Sequence, residues 1–278
     1  MDKIIYRQIM AVMCFFVFAL PASALNLDGN FTQGGLIIGR DEQATSVFFQ
    51  KKSLRLSDRG IFIIGFDRDA PLQTILKLRY ANGKLKHHNL TITKRTYNTQ
   101  RINGLPPKKV EPKSPDILKR IREESAMVKK VRRLDASRTD FDQGFIWPVI
   151  GEITGVYGSQ RVLNGKPRRP HYGIDISAPT GTPVKSPADG VVILVHPDMF
   201  FSGGTLIIDH GHGLSSCFLH LHKQLVKQGQ RVKQGQVVAQ VGATGRVTGP
   251  HLDWRMNWFD KRIDPALLVP PMPVKKAR

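Results

Sequence analysis

Three short segments of this chain carry histidine and aspartate at spacings suited to chemistry on one surface. His171 and Asp175 stand four residues apart, and His251 and Asp253 stand two apart. In an extended strand such even separations put side chains on a common face. Across 216–222 (Ser-Cys-Phe-Leu-His-Leu-His) the same alternation predicts Cys217, Leu219 and Leu221 on one face, with His220 and His222 on the other. A hydrolytic zinc centre needs three protein ligands and an open position for water, and nearby imidazoles that take a proton and stabilise an oxyanion. His171, Asp175, His220, His251 and Asp253 are five residues of the right types. No His-Glu-x-x-His helix and no Gly-x-Ser-x-Gly turn is present, and Cys217 is expected to face a core. These absences argue against a thermolysin-type site and against serine or cysteine nucleophiles.

The elements that must position these residues read as mostly β. Residues 25–105 suggest a small N-terminal β-sandwich, with a hairpin over 74–92 turned by Asn82-Gly83 in a type I′ turn. Residues 106–143 read as a linker and a basic amphipathic helix beginning at Ser114-Pro115-Asp116, where a hydroxyl, a first-turn proline and an acid mark a helix start. Ile117, Ile121, Val128, Val131 and Leu134 fall near one helix face, and Lys119, Arg122, Lys129 and Arg133 near the other. The helix is expected either to connect and pack or to act as a regulatory arm near the site. Residues 144–269 carry strand-like runs at 190–195, 205–209, 216–221 and 237–241 between Gly and Pro clusters, a compact antiparallel β pattern. The segment 270–278 reads as a disordered basic tail.

Over roughly 144–264 the ordered motifs resemble the LytM/lysostaphin-type zinc metallopeptidases. The likeness rests on Trp147-Pro148, Val156-Tyr157-Gly158 with Arg161, His171-Tyr-Gly-Ile-Asp175, Phe218-Leu-His220-Leu221, the repeated Val-x-x-Gly units, and Gly242-Ala-Thr-Gly245 through Gly249-Pro-His251-Leu252. The resemblance implies a compact antiparallel β domain with an open groove, one zinc ion, and hydrolysis of peptide cross-links in peptidoglycan by metal-activated water. It implies His171 and Asp175 as metal ligands and His220 and His251 as catalytic histidines; it assigns no substrate-binding residue. His222 has no counterpart among the ligands, and His210 and His212 sit in a turn that the resemblance treats as structural.

The pattern of that family ends His-x-His, and here Asp253 stands where the third ligand is expected. A His171, Asp175, Asp253 set brings two carboxylates to the ion, which weakens its Lewis acidity and admits a harder divalent metal such as manganese. If Asp253 instead pairs with Arg255, the site is empty. The chain is then a catalytically inactive module that binds the wall or activates a cell-wall amidase. Lipoyl-type carrier domains share the Val-Lys segments, but no displayed lysine at a tight turn is found.

Residues 1–24 read as a secretory signal peptide, with Lys3 and Arg7 before an apolar run and Ala22-Ser23-Ala24 at its end. The expected location is therefore exported, in the periplasm or cell envelope, with no stable membrane span after cleavage. The formal net charge is +20, of which the leader carries one unit. An exported protein this basic is drawn to anionic envelope polymers, and no basic–aromatic nucleic-acid module appears. Of Cys14 and Cys217 only Cys217 lies beyond the leader, so packing or metal must supply the stability a disulfide would otherwise give.

Overall fold

A computed structural model describes residues 25–273; the expected leader and residues 274–278 lie outside them. The architecture is mostly β. The N-terminal part stacks a three-stranded antiparallel sheet (Asn26–Gly29, Leu36–Arg40, Ile61–Gly65) on a four-stranded one (Lys52–Leu54, Ala44–Phe49, Gln73–Tyr80, Leu85–Thr91). Alternation explains the pairing: Leu76 and Leu78 of Gln73–Tyr80 point inward against Val47 and Phe49, while the residues between them face out. The hairpin between the last two strands closes differently from its sequence expectation. Gly83 N donates to Tyr80 O at 2.9 Å and Tyr80 N to Lys84 O at 3.0 Å, so residues 81–83 span the turn. Gly83 takes φ +79°, while Asn82 Oδ1 accepts from Lys84 N at 3.0 Å. A three-residue loop closed by one left-handed glycine replaces the two-residue turn because only one position needs positive φ.

The C-terminal part is built on an eight-stranded antiparallel sheet. Its path runs Arg231–Val232, Gly190–Met199, Gly203–Gly211, Leu214–Leu221, His251–Trp258, Ile174–Ser177, Ile153–Gly155, with Lys261–Ile263 also pairing to His251–Trp258. One face of this sheet carries Ile176, Leu206, Phe218, Leu252 and Trp254, all fully buried. Each such side chain contributes roughly 1.5–3 kcal/mol by leaving water, which is enough to fix the register of its strand. These residues belong to one hydrophobic cluster that continues into the N-terminal sandwich through Phe49, Phe66, Trp258 and Ile263. Gly65 permits that approach, since a Cβ there would stand 2.7 Å from Ile263 Cδ1.

The stretch between the two parts is not a free linker. Thr99–Ile102 pairs in parallel with Gln160–Leu163, so the end of the segment read as the N-terminal domain is a strand of the C-terminal fold. Two helices follow, α1 (Pro107–Val110) and α2 (Pro115–Val131). Lys109 Nζ of α1 donates to the Phe200 carbonyl. Helix α2 lays Val128 and Val131 on a second, smaller cluster of Ile193, Leu194, Met199, Ile207, Cys217 and Leu219. Within the expected tail, Pro270 O accepts from Trp147 Nε1 at 2.8 Å and Met272 packs on the core. Among the described residues no helix is long and apolar enough to cross a membrane.

Candidate metal centre

Strand register places the two carboxylates side by side. Asp175 is directly opposite Asp253 across the pairing of Ile174–Ser177 with His251–Trp258, and Leu219 is opposite Asp253 on its other side. Paired residues share a face, so the carboxylates lie on the sheet face opposite the main core. His171 precedes its strand and reaches back, with Nε2 3.1 Å from Asp175 Oδ1. His171, Asp175 and Asp253 are all buried and each offers one ligand atom within 4.8 Å of the others.

Two like charges on adjacent strands repel each other, and two arginines answer them. Arg161 donates from a terminal guanidinium nitrogen to Asp175 Oδ2 at 2.6 Å. Arg255 grips Asp253 with both arms of its fork, at 2.9 Å to Oδ1 and 2.6 Å to Oδ2. Burial disfavours charge on Asp253, but Arg255 and then the His171 imidazole outweigh it and hold the carboxyl below its ordinary range. Burial likewise opposes ionisation of Asp175, and His171 and Arg161 overcome it and hold its pKa low, with Asp253 working against them. Both carboxylates are therefore anionic at neutral pH.

Two further imidazoles stand beside this cluster. His220 and His251 have ring centroids 5.0 Å apart. His220 Nδ1 donates to Thr244 O at 2.8 Å and His251 Nδ1 to Gly249 O at 2.9 Å, which fixes the tautomer and leaves each Nε2 as an acceptor. His251 Nε2 is 3.8 Å from Asp175 Oδ1. Burial pushes the His220 pKa down to about 4, so the ring is neutral at pH 7.

The strand alternation read from the sequence breaks at His220. This residue has φ +63°, outside the extended region. The turn of the backbone sends Leu221 into the main core while Cys217 and Leu219 stay on the α2 side, and it directs His220 into the site without His222, which is exposed. Strain of this kind is held by the surrounding bonds, here His220 N to Ser202 O at 2.8 Å. His210 and His212 are buried away from the cluster. His210 is bonded to Asp189 O and Ser216 Oγ at 2.7 Å each, and His212 packs its ring against Phe141.

The donor set fits a divalent cation. His171 Nδ1 and Nε2 and Asp175 Oδ1 are buried without a hydrogen-bond partner, a costly condition that a ligated ion at Nε2 and Oδ1 relieves. The fork of Arg255 leaves unused lone pairs on both oxygens of Asp253, since a carboxylate offers about four acceptor sites. Glycines cradle both acids: a Cβ on Gly155 would stand 2.3 Å from Asp175 Oδ2, and one on Gly173 would stand 2.7 Å from Asp253 Oδ1. The cavity over the cluster has a volume of about 190 Å³ and is walled by Gln100, Ile102 and Leu105 and by Arg246 on the other side. The expected open groove is thus narrowed here by residues 100–105. The pairing of Arg161 with Asp175 was not legible in the sequence, because the partners come from different strands. Arg255 was legible as a cation beside Asp253, and Arg246 carried no signal.

A buried His/Asp/Asp cluster flanked by two imidazoles with bare Nε2 atoms, set on an antiparallel sheet, is the donor arrangement that a hydrolytic metal centre requires. Comparison with known proteins agrees with that class. Residues 169–265 match Peptidase family M23. A Pseudomonas aeruginosa protein of known structure, assigned to peptidase M23, aligns with 85% of this chain and 94% of its own at 31% identity and a TM-score of 0.64. The chain belongs to peptidase family M23. It is 46% identical over 97 residues to the peptidoglycan DD-endopeptidase ShyB of Vibrio cholerae, covering 34% of this chain and 22% of that protein. It is also 36% identical over 132 residues to the cell division protein DipM of Caulobacter vibrioides, covering 45% and 21%. The chain spans only about a fifth of the length of these two relatives.

Proposed function

We propose that this protein is an exported metal-dependent endopeptidase that hydrolyses peptide cross-links of peptidoglycan. The observation that carries the reading is the convergence of His171, Asp175 and Asp253 on one buried point with orphaned ligand atoms, beside His220 and His251. The naming of relatives such as ShyB as peptidoglycan DD-endopeptidases supports the substrate class. In this reading His171, Asp175 and Asp253 hold one divalent ion, zinc by donor type, with a harder ion such as manganese also suited to the two carboxylates. That ion supplies Lewis acidity and activates water near neutral pH.

The residues of the chain do the rest. Arg161 holds Asp175 Oδ2 and Arg255 holds both oxygens of Asp253, and together they offset the charge of the two carboxylates. His220, neutral at pH 7, accepts a proton at Nε2, and His251 presents its own Nε2 beside it, the ring centroids 5.0 Å apart. Once protonated, either imidazole donates to a developing oxyanion. Arg246 lines the same cavity without an acidic partner among the described residues, which suits it to a carboxylate of the peptide substrate. The leader and the basic charge suit a periplasmic or envelope location.

The grip of Arg255 on Asp253 favours the second reading, an inactive module that binds the wall or activates an amidase. Mass spectrometry of purified cross-linked muropeptide dimers incubated with the protein separates the two. Conversion of dimers to monomers, lost in His220→Ala and His251→Ala, is the expected result. Intact dimers after prolonged incubation with zinc- or manganese-loaded protein would establish the inactive module instead.

A further inference from the structure

Beside the metal centre, on the same face of the sheet, lies a second cavity of about 700 Å³ under helix α2. Its roof is the helix, with Ile121, Val128 and Lys129, and the turn that ends it, with Arg132 at the C-cap and Arg133; its floor is the sheet, with Cys217, Leu219 and Arg255. Arg262 and Arg169 complete the wall. The lining is strongly cationic. The acids there are Glu124, already paired with Arg120 at 2.6 Å, and Asp260.

Three of these guanidiniums come together without enough negative charge. Arg255 is held by Asp253. Arg262 donates only to the neutral Asn257 Oδ1, at 2.6 Å, and neither it nor Arg132 has an ion-pair partner among the described residues. The Nε of Arg132 is buried with no hydrogen-bond partner. Burial and the charges of Arg132 and Arg255 push the Arg262 guanidinium down to about 9, still above neutral pH. Arginine keeps its charge in proteins, so the three groups repel one another. Arg132 and Arg262 are half-buried and unpaired, a placement that costs free energy unless something anionic joins them. The helix has no fully buried residue of its own, and it is held to the sheet by Val128 and Val131 and by the bonds of Arg120 to Asp198 and of Phe200 N to Glu124 Oε2.

We propose that this cavity is an anion-binding site. It takes an oxyanion, phosphate or carboxylate, that bridges Arg132 of helix α2 to Arg262 and Arg255 of the sheet and so fastens the helix to the body of the protein. The planar forks suit the paired oxygens of either group. The cavity is larger than a bare oxyanion, and Ile121, Val128 and Leu219 offer an apolar wall to the rest of the ligand. The site shares Arg255 with the metal centre, where that residue also holds Asp253, but its existence does not depend on the endopeptidase reading.

The test uses the metal-free full chain, so that a metal-bound anion does not contribute. Inorganic phosphate and glutarate are titrated by calorimetry against chloride at matched ionic strength; the two probes separate a phosphate ligand from a carboxylate one. Saturable binding of either probe is expected, weakened about tenfold or more in Arg132→Gln and Arg262→Gln and unchanged in Arg246→Gln. A charged hydrogen bond is worth about 1.5–3 kcal/mol, and about 1.4 kcal/mol is tenfold. In the native chain the bound probe is expected to slow amide exchange across residues 121–131, a readout that needs no variant. Binding no stronger than chloride, or binding kept in both Arg132→Gln and Arg262→Gln but lost in Arg246→Gln, overturns the assignment.

Discussion

Asp253 stands between a guanidinium and the site where a metal would be bound, and a double-mutant cycle separates these two demands on it. Asp253 is almost fully buried, whereas the Arg255 side chain is 24% exposed, toward the cavity under helix α2. Asp253→Ala leaves Arg255 without the acid that holds it at 2.9 and 2.6 Å. Breaking a buried pair by removing one partner costs about 3–5 kcal/mol, and the partial exposure of Arg255 places this case near about 3 kcal/mol. In Asp253→Ala/Arg255→Met neither charge remains, so most of that loss is expected to return, with a coupling of about 2 kcal/mol. Zinc affinity follows a different pattern. It falls in Asp253→Ala and in the double variant, because both lack a ligand. It rises in Arg255→Met, where a nearby positive charge is removed and the lone pairs of Asp253 are freed. Urea unfolding of the metal-free proteins measures the first quantity, and competition with a chromophoric chelator measures the second. Full zinc affinity in Asp253→Ala would refute the ligand assignment, and a coupling below about 0.5 kcal/mol would refute the description of Arg255.

Three further outcomes are expected. Gly155→Ala presses a methyl group onto Asp175 Oδ2 at 2.3 Å, and Gly173→Ala presses one onto Arg255 Cγ and Trp254 O at 2.5 Å and Asp253 Oδ1 at 2.7 Å, so chelator competition should show metal affinity lowered about tenfold or more in each; unchanged affinity in Gly155→Ala would show that the Asp175 carboxylate is free to move. Burial holds His210 at about 4, below the 6.5 of an exposed imidazole, so the unfolded chain binds more protons between these values and the contribution of His210 to stability, complete above about pH 6.5, is lost as pH falls toward 4. At pH 5 that loss is about 2 kcal/mol, and His210→Asn should show a correspondingly flatter dependence in urea unfolding between pH 5 and 7; equal slopes would contradict it. Arg246→Gln should raise KM for cross-linked muropeptides about tenfold with little change in kcat, by steady-state assay, since it removes a charged contact and no proton-transfer group; a loss confined to kcat would remove Arg246 from substrate binding.

The sheet and the residues gathered on it were legible in the sequence because both rest on local pattern. The even spacing of His251 and Asp253 set their shared face, and the apolar runs at 190–195 and 216–221 marked the strands beside them. What was hidden depends on contacts distant in sequence or on single backbone angles. The positive φ of His220 carried no signal, and it separates this histidine, which faces the cluster, from exposed His222. The parallel pairing of Thr99–Ile102 with Gln160–Leu163 joins residues about sixty positions apart and turns the end of the expected N-terminal domain into a wall of the site. Arg161 reaches Asp175 across strands in the same way. The Asn82-Gly83 turn was correctly located but wrongly typed, because the pair of residues does not specify whether one or both adopt positive φ.

The central claim is that an ion held by His171, Asp175 and Asp253 enables peptide-bond hydrolysis. Digestion of cross-linked muropeptides by the intact protein, before chelation, after complete metal removal and after adding zinc back, tests it most directly. Cleavage that disappears with the metal and returns with one equivalent of zinc is the expected result. Cleavage that survives complete metal removal would contradict the account.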